Sequence, residues 1–365
     1  MTSPHSFQLF INPNHGVPGM TVLPTGGFQR AKAAIEAWPG YAPTPLVDLP
    51  QPGVAVLRLK NEGPRFGLGS FKALGGAYAV EKLVAAESAK GNRAITVTCA
   101  TDGNHGRSVA WGAQRAGCRC VIFVHETVSQ GRVDAIAAYG ARVIRVPGNY
   151  DDSVREADRQ AQANHWFVVS DTSYPGYTEV PRDVMQGYRV MADEAADQWT
   201  GPPPTHVFMQ AGVGGAAAAV SVQMRARFDP APRLVIVEPE TAACLYESAR
   251  AAKPVTVGGN LDTIMAGLAC GEPSLLAWQE LERAAFAFMT IPDSAAADTL
   301  RDLANRGLEI GESGVAGLAA LRLVITDHDS MFHLNLNDAS RIVVFGTEGV
   351  TDRYVYEGIR SETAS

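Results

Sequence analysis

Ala94-Ile-Thr-Val-Thr-Cys99, Cys120-Val-Ile-Phe-Val124, Arg142-Val-Ile-Arg-Val146 and Trp166-Phe-Val-Val169 are four short runs rich in β-branched and aromatic residues. Stretches with helical patterning lie between them. One opens near His105, one runs from about Ser129 to Tyr139, and one from Tyr150 to His165. Short strands alternating with helices predict a parallel sheet with right-handed crossovers. Residues 89–175 are therefore expected to form one small α/β unit.

Further out the pattern repeats. Val54-Ala-Val-Leu-Arg-Leu-Lys60 reads as a strand and 71–90 as a helix. After Gly201-Pro-Pro-Pro204, strands are expected at His206-Val-Phe-Met209, Leu234-Val-Ile-Val237 and Ile342-Val-Val-Phe345. The material before residue 90 is too short to stand alone, so it is expected to join the C-terminal part. The fold class is then α/β, with two open parallel-sheet units: a large one over 1–88 and 176–365, and the small one, 89–175, inserted in it.

Composition agrees with that size. At roughly 150 residues per domain, 365 residues suggest two domains with a substantial core. Lys and Arg total 31 against 38 Asp and Glu, a net charge of −7, which argues against nucleic acid as a partner. No apolar run reaches the 18 or so residues of a membrane span, and the first residues lack the basic and apolar regions of a secretory signal. A soluble, cytoplasmic protein is expected. The five cysteines include no Cys-x-x-Cys pair, so buried thiols are expected and no metal. Only six lysines are present, whereas the 36 glycines exceed the usual share of roughly 7%.

Three glycine-bearing turns carry candidate chemistry. In Gly67-Leu-Gly-Ser-Phe-Lys72-Ala-Leu-Gly-Gly-Ala77 a lysine opens a helix, where the helix dipole and desolvation both favour a neutral, nucleophilic amine. A solvated helix-start lysine is the alternative. Thr101-Asp-Gly-Asn-His-Gly106 links a strand to a helix and can aim N–H groups at an anion. Gln210-Ala-Gly-Val-Gly-Gly-Ala216 reads as a phosphate cradle. A dinucleotide site remains open, with Glu238 as its acidic residue, although Ala217 stands where a third glycine belongs. Asp171 follows a strand end, where binding loops of such sheets gather; it could also be an ordinary turn aspartate.

Together these elements resemble the fold-type II family of pyridoxal-phosphate enzymes, over roughly residues 40–350. The resemblance implies that Lys72, in Ser70-Phe71-Lys72, carries the cofactor's Schiff base and that Asn104 contacts its phenolic oxygen. It implies that Gly212, Val213, Gly214, Gly215 and Ala216 hold its phosphate, and that a hydroxyl, assigned to Thr347, faces the pyridine nitrogen. Glu312 and Phe71 are also placed at the cofactor. Where the commoner dehydratases carry serine, this chain has Asp102, a potential general base or a helix N-cap.

Two acidic residues beside such a site suit a substrate with a second amine. With Asn260–Pro273, Gly311-Glu-Ser-Gly314, Gly346-Thr-Glu-Gly349 and the Tyr177…Gln186-Gly-Tyr188 spacing, they make the chain similar to the diaminopropionate ammonia-lyases. That implies elimination of ammonia from 2,3-diaminopropionate in a homodimer. Lys72, Asp102 and Asp171 would be catalytic, and Thr101, Asp102, His105 and Asp171 would meet the substrate. A serine or threonine dehydratase and a non-catalytic amino-acid or nucleotide-binding protein are the alternatives. Pairing of Cys244 with Cys270 is left open.

Overall fold

The computed structural model describes residues 6–17, 19–101 and 103–361; Asp102 lies outside them. Three strands come first, β1 (Gln8–Ile11), β2 (Leu46–Asp48) and β3 (Val56–Asn61). Then follow β4 (Thr96–Ala100), β5 (Arg119–His125), β6 (Arg142–Val146) and β7 (Phe167–Val168). The last four are β8 (His206–Gln210), β9 (Arg233–Pro239), β10 (Ala285–Ile291) and β11 (Arg341–Gly346). They form a seven-stranded sheet in the order β1-β10-β9-β8-β11-β3-β2 and a four-stranded sheet in the order β6-β5-β4-β7. Only the edge pairs β1–β10 and β2–β3 are antiparallel. β3 lies along β11, with Leu57 opposite Ile342 and Leu59 opposite Val344. Segments before and after the smaller sheet thus share the larger one.

The central strands are apolar on both faces because helices cover both. Along β8, Val207 and Met209 enter one core cluster and Phe208 the other, as a period of two requires. Leu74, Val184 and Ala218, from the helices Lys72–Ala89, Glu179–Gln198 and Gly215–Arg227, join the first cluster. Leu300 and Leu321, from Asp293–Asn305 and Ala316–Ile325, join the second.

Glycines let the helix Lys72–Ala89 lie almost in contact with two others. A Cβ at Gly187 would sit 2.3 Å from the Leu74 carbonyl oxygen, and one at Gly112 would sit 2.7 Å from Ala77 Cα. This helix therefore packs both on Glu179–Gln198 and on Asn104–Ala116, the helix that leaves β4. The loops after β3, β4, β8 and β11 all leave carboxyl ends of parallel strands, where ligands of such sheets bind.

The elements expected from the sequence form within one or two residues of their bounds. β1, β2 and β10 lie outside those expectations. β10 follows the helix Leu275–Ala284 without an intervening residue, so no glycine or proline marks its start. β1 and β2 are short edge strands.

Candidate active site

Lys72 is fixed by its backbone before its side chain is considered. Phe71 N donates to Thr347 O (3.0 Å) and Gly349 N to Gly69 O (2.9 Å), which ties the loop after β3 to the loop after β11. Ser108 Oγ donates to Lys72 O at 2.6 Å. Just upstream, Arg65 Nη2 donates to Glu194 Oε2 (2.7 Å) and Nε to Glu62 Oε2 (2.8 Å), and Lys60 Nζ donates to the same Glu194 oxygen (2.8 Å). Lys60, Glu62 and Arg65 are buried, so this pair-on-pair cluster holds the segment leading to Lys72 against the helix Glu179–Gln198.

The Lys72 ammonium donates to Asp171 Oδ2, and its side chain and that of Asp171 are 21% and 18% exposed. Burial works against the charge on Lys72, but the adjacent Asp171 carboxylate outweighs it and holds the amine protonated well above its usual range. Burial likewise opposes the charge on Asp171, and Lys72 and His105 reverse that, keeping the carboxyl ionised. The Asp171 carboxylate thus outweighs burial, which by itself favours a neutral amine. The Tyr188 and Phe71 rings lie 5.7 and 5.5 Å from Nζ and pack on each other at 4.6 Å. Tyr188 Oη is buried and has no hydrogen-bond partner.

The turn after β4 brings up the next group. Thr101 Oγ1 accepts from Gly103 N (3.0 Å) and Gly106 N (3.1 Å), which shapes the turn and leaves only its hydroxyl proton for a ligand. His105 Nε2 meets Val169 O at 2.7 Å, while Nδ1 lies 3.8 Å from Asp171 Oδ2 without a hydrogen-bond partner. Burial lowers the imidazole's pKa. Asn104 Nδ2 donates to Glu348 Oε2 (2.5 Å), and Glu348 Oε1 accepts from Ser313 N (3.1 Å). Glu312 is buried beside them, 3.3 Å from Arg132 Nη2. Its carboxyl is pushed up to about 7 by burial and then by Glu348.

The glycine loop after β8 fits an anion. Gly214 has φ +94°, and the helix Gly215–Arg227 starts there without a side-chain cap. Its first N–H groups therefore lack intrahelical partners. A Cβ at Gly212 would lie 2.8 Å from Cys270 Sγ, so the loop's bare backbone faces its surroundings closely. Glu238 is buried and its oxygens accept from Leu245 N (2.9 Å) and Tyr246 N (2.7 Å). It therefore caps the helix Cys244–Ala251, an engagement that speaks against a ribose partner. Cys244 and Cys270 are not joined by a disulfide. The cradle and the unpartnered Tyr188 and His105 atoms around Lys72 suit a phosphorylated aldehyde cofactor held at the lysine.

The sequence profile of the family described as pyridoxal-phosphate dependent enzyme matches residues 37–344. The chain belongs to that family. Diaminopropionate ammonia-lyase of Escherichia coli (strain K12) is 42% identical over 342 residues, 86% of each chain. The crystal structure of selenomethionine-incorporated holo diaminopropionate ammonia lyase from Escherichia coli superposes with a TM-score of 0.91 at 36% identity, over 99% of this chain and 98% of that one. The same enzyme in complex with an aminoacrylate-PLP azomethine reaction intermediate gives 0.88 at 37% identity, over 98% and 97%.

In this pyridoxal-phosphate-dependent enzyme, Lys72, His105 and Asp171 meet at one point. Asn104, Glu312 and Thr347 are linked at a second through Glu348 and the loop that carries it, and Gly212–Ala216 form a third. Among the described residues no helix is long and apolar enough to cross a membrane and no cluster of metal ligands occurs. Tyr188, Glu348 and Gln210 also line these points, and the sequence motifs that contain them assign them no role. A buried polar residue at a strand's end or mid-helix was the available signal.

Proposed function

We propose that the chain is a pyridoxal-phosphate-dependent ammonia-lyase acting on 2,3-diaminopropionate of either hand. One substrate and one water yield pyruvate and two molecules of ammonia. The observation that carries this reading is the ionised, part-buried Asp171 facing Lys72. Once Lys72 no longer offers its positive charge, Asp171 needs another cation nearby. The β-ammonium of diaminopropionate supplies one, and the hydroxyl of serine does not.

The cofactor, when bound, supplies an electron-withdrawing ring that disperses the charge left on the substrate's α-carbon. Lys72 Nζ is its attachment point and, once released, the base for the α-proton of one enantiomer. Asp102 is assigned the α-proton of the other. Asp171 holds the β-ammonium, with the neutral His105 ring and the Thr101 hydroxyl alongside. Gly212, Val213, Gly214, Gly215 and Ala216 hold the phosphate through backbone N–H groups. Asn104 reaches the phenolic oxygen, Thr347 the ring nitrogen, Phe71 packs beside the lysine, and Glu312 backs the Glu348–Asn104 contact. The proposal includes a cytoplasmic homodimer whose smaller unit spans 89–175.

The test is to load purified protein with pyridoxal phosphate and follow ammonia and pyruvate release from D- and L-diaminopropionate, D- and L-serine, and threonine. Higher kcat/KM for diaminopropionate is expected. Preference for the hydroxy-amino acids would make it a dehydratase, and failure to take up the cofactor would make it a binding protein.

A further inference from the structure

The geometry points to Gln210 as the residue that sets the direction of the hydrogen bond made by the Thr347 hydroxyl; we infer that it makes Thr347 a donor toward the ring nitrogen. The inference rests on the reading above that Thr347 faces that nitrogen. Gln210 is the last residue of β8 and Thr347 directly follows β11, the neighbouring strand. Both are buried, 2% and 4% exposed.

An amide side chain can be placed either way round, but here its surroundings decide. Gln210 Nε2 lies 2.7 Å from Phe345 O and 3.2 Å from Gly314 O. Carbonyl oxygens only accept, so the NH₂ end must face them. The other end, Oε1, points toward the first turn of the helix Ala316–Ile325, where a Cβ at Gly317 would come within 3.0 Å of it.

The same Nε2 lies 2.8 Å from Thr347 Oγ1. An amide nitrogen has two protons and no acceptor capacity. Its two short contacts, to Phe345 O and Thr347 Oγ1, use both protons. Thr347 Oγ1 is therefore an acceptor toward Gln210, and its single proton leaves in another direction. Against a ring nitrogen, that hydroxyl offers a proton and keeps the nitrogen an unprotonated acceptor. A glutamate at 210 would reverse the arrangement: held protonated by the two carbonyls it faces, it would donate its one proton to Phe345 O and accept the Thr347 proton on the same oxygen, and the lone pair then left toward the ring would favour a protonated nitrogen.

The experiment reads the nitrogen-15 resonance of the ring nitrogen in protein loaded with labelled pyridoxal phosphate. Wild type, Gln210→Glu, Gln210→Met and Thr347→Val are compared, with kcat measured alongside. The wild type is expected to show an unprotonated, hydrogen-bonded nitrogen. Gln210→Glu should move the resonance toward the protonated position, and Gln210→Met should move it toward the free, unbonded position. In Gln210→Met kcat should fall by about tenfold, as for other residues that orient a contacting group. Wild-type resonance in both Gln210 variants, with a shift in Thr347→Val, overturns the role of Gln210 and leaves Thr347 as the ring's partner. No shift in Thr347→Val overturns the placement of Thr347 itself. A protonated nitrogen in the wild type overturns the donor assignment even where a variant does not fold.

Discussion

The ammonium of Lys72 and the carboxylate of Asp171 meet from positions ninety-nine residues apart, one opening the helix after β3 and the other in the loop after β7. The pair gives the unliganded protein a pH signature. The raised pKa of Lys72 contributes stability that is complete below about 10, its unfolded value, and is lost as pH climbs toward the folded one. The lowered pKa of Asp171 contributes stability present above about 4 and lost as pH falls toward its folded value. Asp171→Asn is expected to cost roughly 3 kcal/mol near neutral pH by stranding the ammonium. Denaturant titrations of the two apo proteins should show that gap narrowing outside about pH 4 to 10. With substrate, the variant should lose more kcat/KM on diaminopropionate than on serine; equal losses would remove Asp171 from β-ammonium recognition.

Glu312 has the opposite sign. Its carboxyl is raised to about 7 by burial and by Glu348, with Asp352 adding and Arg132 opposing. The folded protein then holds an extra proton, and its stabilising effect is complete below about 4.3 and lost as pH rises through the folded value. Glu312→Gln keeps the neutral form. Its unfolding free energy, from denaturant titrations, should match wild type near pH 4 and exceed it increasingly up to about pH 8, by on the order of 3 kcal/mol at most. A constant difference would show that Glu312 does not titrate in that window.

Gly75→Ala tests the helix crossing. The new Cβ would lie 2.3 Å from Tyr188 Cε1 and 2.7 Å from Val184 O, so a loss of about 1–3 kcal/mol is expected despite the better helix former. Gly131→Ala, in the helix Gln130–Ala137 with nothing within 4 Å, should instead add about 0.5–1 kcal/mol. Chemical unfolding of both variants checks the contrast.

Asp102→Asn is expected to lose activity on D-diaminopropionate much more than on the L form, since Lys72 is left to serve one face alone. Equal losses with both enantiomers, in steady-state assays on the loaded enzyme, would sink the two-base scheme.

The smaller sheet is legible in sequence because its strands are short apolar runs and β4, β5 and β6 pass into helices after three or four residues. Lys72, Asn104 and the 212–216 loop stand out as candidates because three glycine-bearing turns occur together, each beside a strand end, whereas any one of them alone is ordinary loop chemistry. What one residue does to another is not legible in the same way. The charge state of Lys72 depends on Asp171, whose proximity only the folded chain creates. Likewise, the amide of Gln210 is oriented by carbonyls of residues 314 and 345, so a buried glutamine at a strand's end carries no visible instruction. Glu238 shows the converse: its position suited a nucleotide site, and the backbone of residues 245 and 246 had already claimed it.

The glycine-lined crossings have an evolutionary consequence. Lys72 is mounted where three helices touch backbone to backbone, whereas Asp171 sits in a loop that contributes nothing to those crossings. On the proposed role of Asp171, substitutions in that loop would alter which amino acid is welcome while the lysine's mounting stays as it is. A change of diet in this lineage would be expected to begin after β4 and β7, with the helix Lys72–Ala89 among the last segments to vary.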